Sequence, residues 1–163
     1  MRRTMLPLVL AVGVAAVTAP ALADTGAAPP KKLDVFVYAD AVNGTRPAAA
    51  KPRPIGCTQS NIFTRGEQVV FRTWGTEALT GDILSTENVK YAYVKVPGAP
   101  NMKLNWGAHG ATSNRVWFWS APYNLPADFP LGSATFTVVF KTTANAFGMY
   151  DHVITVVPAA KKR

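Results

Sequence analysis

Side chains that could bind a metal ion are few in this sequence and widely spaced along it. They offer a thiol, two imidazoles and thioethers, which together suit copper, above all Cu(I). Met149 and His152 lie close together beside the expected end of a strand, but Cys57 lies far upstream, unlike the late ligand loop of blue-copper proteins. A copper site is therefore the alternative hypothesis. Its predicted ligands are His109, His152, Met149 and Cys57, with Met102 and Asp151 as further donors.

Aromatic residues give a second set of candidates. Trp106 to Gly110 is predicted to be a loop whose glycines allow close approach to a ligand, and a strand is predicted from Arg115 to Ser120. If Val116 and Phe118 point into the core, the alternate side chains form an outward platform for a sugar ring or a protein. The opposite orientation, with the tryptophans in the core, stays open. The predicted ligand-binding residues are Trp106, His109, Arg115, Trp117 and Trp119, which Tyr91 and Tyr93 could extend.

Signatures of catalysis are missing from the sequence. It contains no Gly-x-Ser-x-Gly, no His-Glu-x-x-His, no glycine-rich phosphate loop and no haem-attachment motif. Its acidic residues are scattered, and whether two of them could pair for glycoside hydrolysis depends on their positions in space. We therefore predict that the protein is not an enzyme and has no cofactor, with a small secreted hydrolase as the weaker alternative.

The N-terminal residues predict export. A basic start is followed by an apolar run from Met5 to about Val17 and by a small-x-small motif at Ala21-Leu22-Ala23. This pattern predicts a signal peptide at residues 1–23 and a secreted or periplasmic protein with no membrane span afterwards. The arginines at the start leave general secretion and twin-arginine export both open. The predicted boundaries are a disordered leader at 24–32, a β-sandwich domain at 33–158 and a basic tail at 159–163.

The charge of +8 lies mostly outside the predicted domain. Basic residues are concentrated in the signal peptide, in the leader and at the C-terminus, so the domain itself is nearly balanced. This distribution argues against a nucleic-acid partner, which would require the charge on a folded face. Cys57 is the only cysteine, so the chain has no intramolecular disulfide. Burial, pairing with another chain and a ligand role are the alternatives for it, with burial favoured.

The elements that must position these candidates are strands. Ala134, Phe136, Val138 and Phe140 alternate with polar residues from Pro130 to Lys141, and a second strand from 152 to 157 completes a closing hairpin. Further strands are predicted at 33–39, 67–74, 88–96, 102–106 and 115–120, with long loops at 40–56 and 107–114. One helical turn is expected at 127–128. The pattern predicts an all-β, antiparallel immunoglobulin-like β-sandwich of about seven to eight strands.

Turn and core positions carry a resemblance to a known group of domains. The motifs are Phe63-x-x-Gly66-Glu67-x-Val69-x-Phe71, Val94-x-Val96-Pro97-Gly98 and Phe129-Pro130-Leu131-Gly132-x-x-x-Phe136-Thr-Val138. They resemble those of bacterial immunoglobulin-like and macroglobulin-like domains. The resemblance implies a fold and not a function. With the aromatic candidates, the expected function is an exported, non-catalytic binding or accessory module that recognises a protein or polysaccharide through an aromatic face. A periplasmic copper-type protein is the runner-up.

Overall fold

The computed structural model describes residues 34–44 and 57–159. This part of the chain consists of nine strands and one short 3-10 turn at Thr112–Asn114, which confirms the all-β class. The predicted signal peptide, the leader and residues 160–163 of the tail lie outside the described residues. The strands are β1 (Val35–Asn43), β2 (Ile62–Thr64), β3 (Gln68–Glu77), β4 (Val89–Lys95), β5 (Met102–Lys103), β6 (Asn105–His109), β7 (Val116–Asn124), β8 (Gly132–Thr142) and β9 (Phe147–Val157).

The strands form two sheets. The four-stranded sheet has the order β1-β3-β7-β6, and the five-stranded sheet has the order β2-β9-β8-β4-β5. Neighbouring strands are antiparallel except for β2 and β9, which are parallel. The inner faces pack on each other, as shown by the rings of Phe71 in β3 and Phe136 in β8, whose centroids lie 4.8 Å apart. The apolar core is the layer between the two sheets.

The closing hairpin is confirmed. β8 and β9 pair from Gly132 opposite Val156 to Lys141 opposite Phe147, and the alternating apolar residues of β8 are buried between the sheets. β9 begins at Phe147, earlier than predicted. Three consecutive residues near its start, from 149 to 151, are exposed, and the segment lacks the alternation of hydrophobicity that identifies a strand.

Two predicted loops are partly strand. β1 continues to Asn43, because Asp40 and the residues after it keep their pairing with β3. The segment predicted as a loop from 107 contains most of β6, which pairs with β7 from Asn105 to His109. The glycines of this segment predict a loop because glycine is depleted in strands. The predicted helical turn at 127–128 is a non-helical turn, in which the Phe129 amide donates to the Pro126 carbonyl at 3.1 Å.

Cys57 is exposed, so the favoured expectation that it would be buried is wrong. It has a positive φ of 59° and its amide donates to the Asn43 carbonyl beside the end of β1. Over residues 34–44 and 57–159, no helix has the length and apolar character needed to cross a membrane.

Candidate ligand-binding face

The predicted tryptophan platform is not formed. Trp119 is only 5% exposed and belongs to the core. Its indole N–H donates to the Leu84 carbonyl at 2.8 Å and its ring packs edge-on against Phe140. A buried hydrogen-bond partner and a large apolar ring contact favour the interior for tryptophan. The outward positions of β7 are instead those of Val116 and Phe118.

Part of the predicted site does come together at the edge of the sandwich. Trp106 and Trp117 stack with centroids 5.8 Å apart, and Trp117 is 52% exposed. Both lie on the inward side of the β6–β7 pair, next to Trp119. Arg115 is exposed just before β7. His109 points to the other side of the same sheet, where it stacks on Phe118.

Tyr91 and Tyr93 do not extend this site. They stack on each other, with centroids 5.8 Å apart. Both lie on β4 at positions that alternate with buried Ala92 and Val94, so they face outward from the five-stranded sheet. The predicted continuity with the tryptophans of β6 and β7 is therefore wrong.

The four predicted copper ligands lie in different places. His109 is on the outer face of the four-stranded sheet, whereas His152 lies between the sheets with its ring against Phe71. Met149 is exposed on the outer face of the five-stranded sheet, and Cys57 lies beside the end of β1. Among the described residues, no three side chains of His, Cys, Asp or Glu form a group that could hold a metal ion. The shared copper site is therefore not assembled there.

A row of four rings crosses the outer face of the four-stranded sheet, one ring from each strand. The centroids of Tyr38 and Trp74 are 5.7 Å apart, those of Trp74 and Phe118 are 5.4 Å apart, and those of Phe118 and His109 are 4.0 Å apart. Phe118 and His109 are nearly parallel, at 12°. We call these four residues the aromatic row.

Strand register aligns this row. Tyr38 lies directly opposite Trp74 in the β1–β3 ladder, and Phe118 lies opposite Gly107 in the β7–β6 ladder. His109 leans back past Gly107 over Phe118; a Cβ at Gly107 would lie 3.7 Å from the His109 Nε2 atom, an ordinary contact. Residues directly opposite or diagonal on one face of a sheet are within reach of aromatic side chains.

A polar row runs beside the aromatic row, two positions from the ring residue in β1, β3 and β7 and four positions from His109 in β6. It consists of Asp40, Arg72, Ser120 and Asn105, which are opposite one another in the three ladders. Arg72 donates from Nε to Asp40 Oδ1 at 2.8 Å and from Nη2 to Oδ2 at 2.5 Å. The Ser120 hydroxyl lies 3.5 Å from His109 Nε2, which connects the two rows.

Charge on this face is held in the Asp40–Arg72 pair. The hydrogen bond to Asp40 raises the pKa of Arg72 above its usual value, so the guanidinium stays charged. Burial, with a smaller contribution from the positive charge of Arg72, lowers the pKa of His109. A histidine with a lowered pKa is neutral at pH 7 and can both donate and accept a hydrogen bond.

Exposure separates the rings that a ligand could touch from the ring that supports them. Phe118 is only 7% exposed and backs its two neighbours. Tyr38 is 53% exposed, Trp74 is half-buried and His109 is exposed. Phe36, at 68%, and Val116, at 54%, flank the row on the same outer face. Exposed apolar residues grouped in this way on a small protein indicate an interaction site.

The sequence contains a signal for this face that motif searching does not use. In β3, Val69, Phe71 and Thr73 alternate with Arg72 and Trp74. The second set includes an arginine, so it is the outward one, and a tryptophan at an outward position is uncommon unless it has a partner or a ligand. The same reasoning applied to β1 finds Phe36 and Tyr38 on the exposed side.

A separate cleft contains two carboxylates. Asp34 and Glu77 line it together with Leu79 and the turn between β8 and β9. The Thr80 hydroxyl donates to Glu77 at 3.3 Å. The hydrolase alternative stays a prediction.

No protein-family model matches the chain, and no curated protein sequence shows significant similarity to it. The resemblance to immunoglobulin-like and macroglobulin-like domains therefore stays a prediction, while the all-β class is confirmed by the strands and their pairing.

Proposed function

We propose that the protein is a non-catalytic binding module that holds a polysaccharide against the outer face of its four-stranded sheet. The observation that supports this most strongly is the aromatic row, with the polar row parallel to it. A sugar ring has an apolar face of C–H groups and a rim of hydroxyls. Rings beside hydrogen-bonding groups are complementary to both parts of such a ligand.

The length of the aromatic row favours a chain over a single sugar. Four strands are separated by three interstrand spacings, which amount to about 14 Å, so the row is longer than one pyranose ring. Tyr38, Trp74 and His109 are each held against a neighbouring ring. A surface whose side chains are already ordered loses little conformational entropy on binding.

The polar groups of the face also support binding over catalysis. Both oxygens of Asp40 accept hydrogen bonds from Arg72, so this carboxylate is engaged in a structural pair. The predicted signal peptide would bring the module to the periplasm or the cell exterior, where polysaccharides are abundant. A protein partner on the same face is the alternative occupant.

Affinity electrophoresis of the chain without residues 1–23, against a panel of polysaccharides, tests the proposal. The panel consists of mixed-linkage β-glucan, galactomannan, xylan, hydroxyethyl cellulose and glycol chitin. Trp74→Ala is the test variant, and Tyr91→Ala is the matched control because Tyr91 is a stacked, partly exposed ring on the other sheet.

We expect Trp74→Ala to weaken binding by about tenfold or more, equivalent to about 1.4 kcal/mol, because it removes the centre of the face. Tyr91→Ala should stay within about twofold of the wild type, since it lies outside the face. Equal losses in the two variants would contradict the proposal. Capture of a defined protein through Trp74, with no polysaccharide retained, would replace it with a protein interface.

A further inference from the structure

We propose, building on the polysaccharide-binding function, that the ligand of this face is an uncharged polysaccharide and that the Asp40–Arg72 pair excludes charged ones. The inference starts from the charge of the face. In the four strands as the structure describes them, Asp40 and Arg72 are the charged side chains at outward positions. Their charges cancel, so the face is neutral in a chain whose formal charge is +8.

The geometry of the pair explains why the face would discriminate. The contact is bidentate, the arrangement in which arginine and a carboxylate match best. The Asp40 side chain is only 6% exposed and that of Arg72 is 27% exposed, so the carboxylate is shielded from water and the guanidinium is partly exposed. A ligand carboxylate near Arg72 would also lie near the Asp40 charge, and a ligand ammonium group near Asp40 would lie near Arg72. Either charged ligand would lose its own hydration without gaining a free counter-charge.

Hydroxyl groups, in contrast, suit Arg72, Ser120 and Asn105, the members of the polar row that Asp40 leaves available to a ligand. Arg72 uses two of its five N–H groups on Asp40, which leaves donors for a ligand oxygen. Ser120 and Asn105 each have both donor and acceptor capacity, and a neutral His109 imidazole has both as well. A hydroxyl both donates and accepts, whereas a carboxylate or sulfate only accepts. The polar row is therefore complementary to uncharged sugars.

Backbone-matched polymers test the inference. One pair is hydroxyethyl cellulose and carboxymethyl cellulose, and a second is methyl-esterified and de-esterified polygalacturonan. Binding is measured at pH 7.5 in 20 and 200 mM NaCl, because the basic residues elsewhere on the chain attract any polyanion at low salt and this attraction is screened at high salt. Trp74→Ala in parallel identifies the part of the binding that uses the aromatic row.

We expect the Trp74-dependent affinity for the neutral polymer to change by less than about twofold with salt, and to exceed that for the anionic partner by at least about tenfold at 200 mM NaCl. Tighter Trp74-dependent binding of the anionic polymer would overturn the uncharged-ligand inference and leave the proposed function standing. Absence of Trp74-dependent binding to any polymer, those of the wider panel included, would overturn both.

Adding charge to the face should reverse its preference. Asp40→Asn leaves Arg72 without its counter-charge, and Ser120→Arg adds a cation between Arg72 and Asn105 while keeping both residues of the ion pair. In a folded variant of either kind, the ratio of anionic to neutral affinity at 200 mM NaCl should rise at least about threefold. If both variants fold, as judged by melting temperature, and the ratio does not change, the charge-compensation argument is wrong.

Discussion

The outer faces of the two sheets are built on the same alternation but carry different chemistry. The four-stranded sheet places one ring on each of four neighbouring strands, beside a charge-compensated polar row. The five-stranded sheet has its stacked tyrosines on a single strand, and its outward positions include lysines and threonines. They include Lys95, Lys103, Lys141, Thr135, Thr137 and Thr155, with Asp151 accepting from Thr137 at 2.6 Å.

This difference shows which residues the fold needs: the inward ones form the core, whereas the outward ones are free to differ between the sheets. Both sheets bury their inward residues in one core, so the need for a stable core explains the apolar inward residues of both sheets. Threonine and lysine at outward positions are ordinary for an antiparallel sheet that is solvated on one side. Aromatic rings aligned across strands are not needed for burial, and they keep apolar surface exposed to water. Their presence supports the proposed binding function.

The largest expected effect on stability is that of breaking the Asp40–Arg72 ion pair on the outer face of the four-stranded sheet. Arg72→Met leaves the Asp40 carboxylate buried without its bidentate partner, which should lower the free energy of unfolding by about 2–3 kcal/mol. Lys95→Met, at an exposed position on the other sheet, should change it by less than about 0.5 kcal/mol. Urea unfolding at pH 7 measures both. Similar values for the two variants would show that the faces do not differ in this respect.

The two histidines give a comparison of intermediate size, in which pH is the variable. Burial lowers the pKa of His152, with Asp40 and the Ala39 backbone opposing the shift, and its Nε2 atom is buried without a hydrogen-bond partner. Because the pKa in the folded state lies below the unfolded value of about 6.5, the unfolded chain binds the proton more readily. The contribution of His152 to stability is therefore present above about pH 6.5 and is lost as the pH falls through the folded pKa.

Urea unfolding between pH 8 and pH 5 measures this dependence. The loss of stability at acidic pH should shrink in His152→Gln, because this variant has no buried imidazole to protonate. His109→Gln should retain most of the loss of stability, since His109 is exposed in the aromatic row and is less buried than His152. A profile that is flattened by His109→Gln and unchanged by His152→Gln would contradict the assignment.

The smallest expected effect is a stabilisation. The φ of Gly107 is not positive, and a Cβ there would make an ordinary contact with His109. Gly107→Ala should therefore stabilise the fold by about 0.5 kcal/mol through the unfolded state. Gly98, between β4 and β5 of the other sheet, has open space around it but a φ of +71°, so Gly98→Ala should destabilise by about 1 kcal/mol. Thermal melts distinguish the two signs. Equal signs would show that backbone conformation is not the deciding factor.

How far the sequence predicts this structure depends on how local the information is. The hairpin of β8 and β9 was predictable because Phe136, Val138 and Phe140 alternate strictly with polar residues. The sequence does not predict the short β2, because three residues carry no periodicity and its parallel pairing with β9 is a long-range property. The sequence predicts a strand up to Trp106 and a loop over the rest of β6, because two of the residues at 107–110 are glycines.

The candidate site was less predictable than the fold. The sequence places Trp117 and Trp119 on one side of β7, but the side that faces the core is decided by partners far away, such as the Leu84 carbonyl and Phe140. Because Trp119 lies in the core, Phe118, at the alternate position of β7, lies on the outer face. The aromatic row then depends on the pairing of β1 with β3 and of β3 with β7, which no local pattern specifies.

The most direct test of the central claim is a map of backbone amide chemical-shift changes on titration with a soluble oligosaccharide from a polymer that binds. The claim predicts changes at Tyr38, Trp74 and Gly107, on three strands of one face, with none at Tyr91 or Lys141. Changes confined to the Trp106–Trp117 stack at the sandwich edge, or to the outer face of the five-stranded sheet, would contradict it.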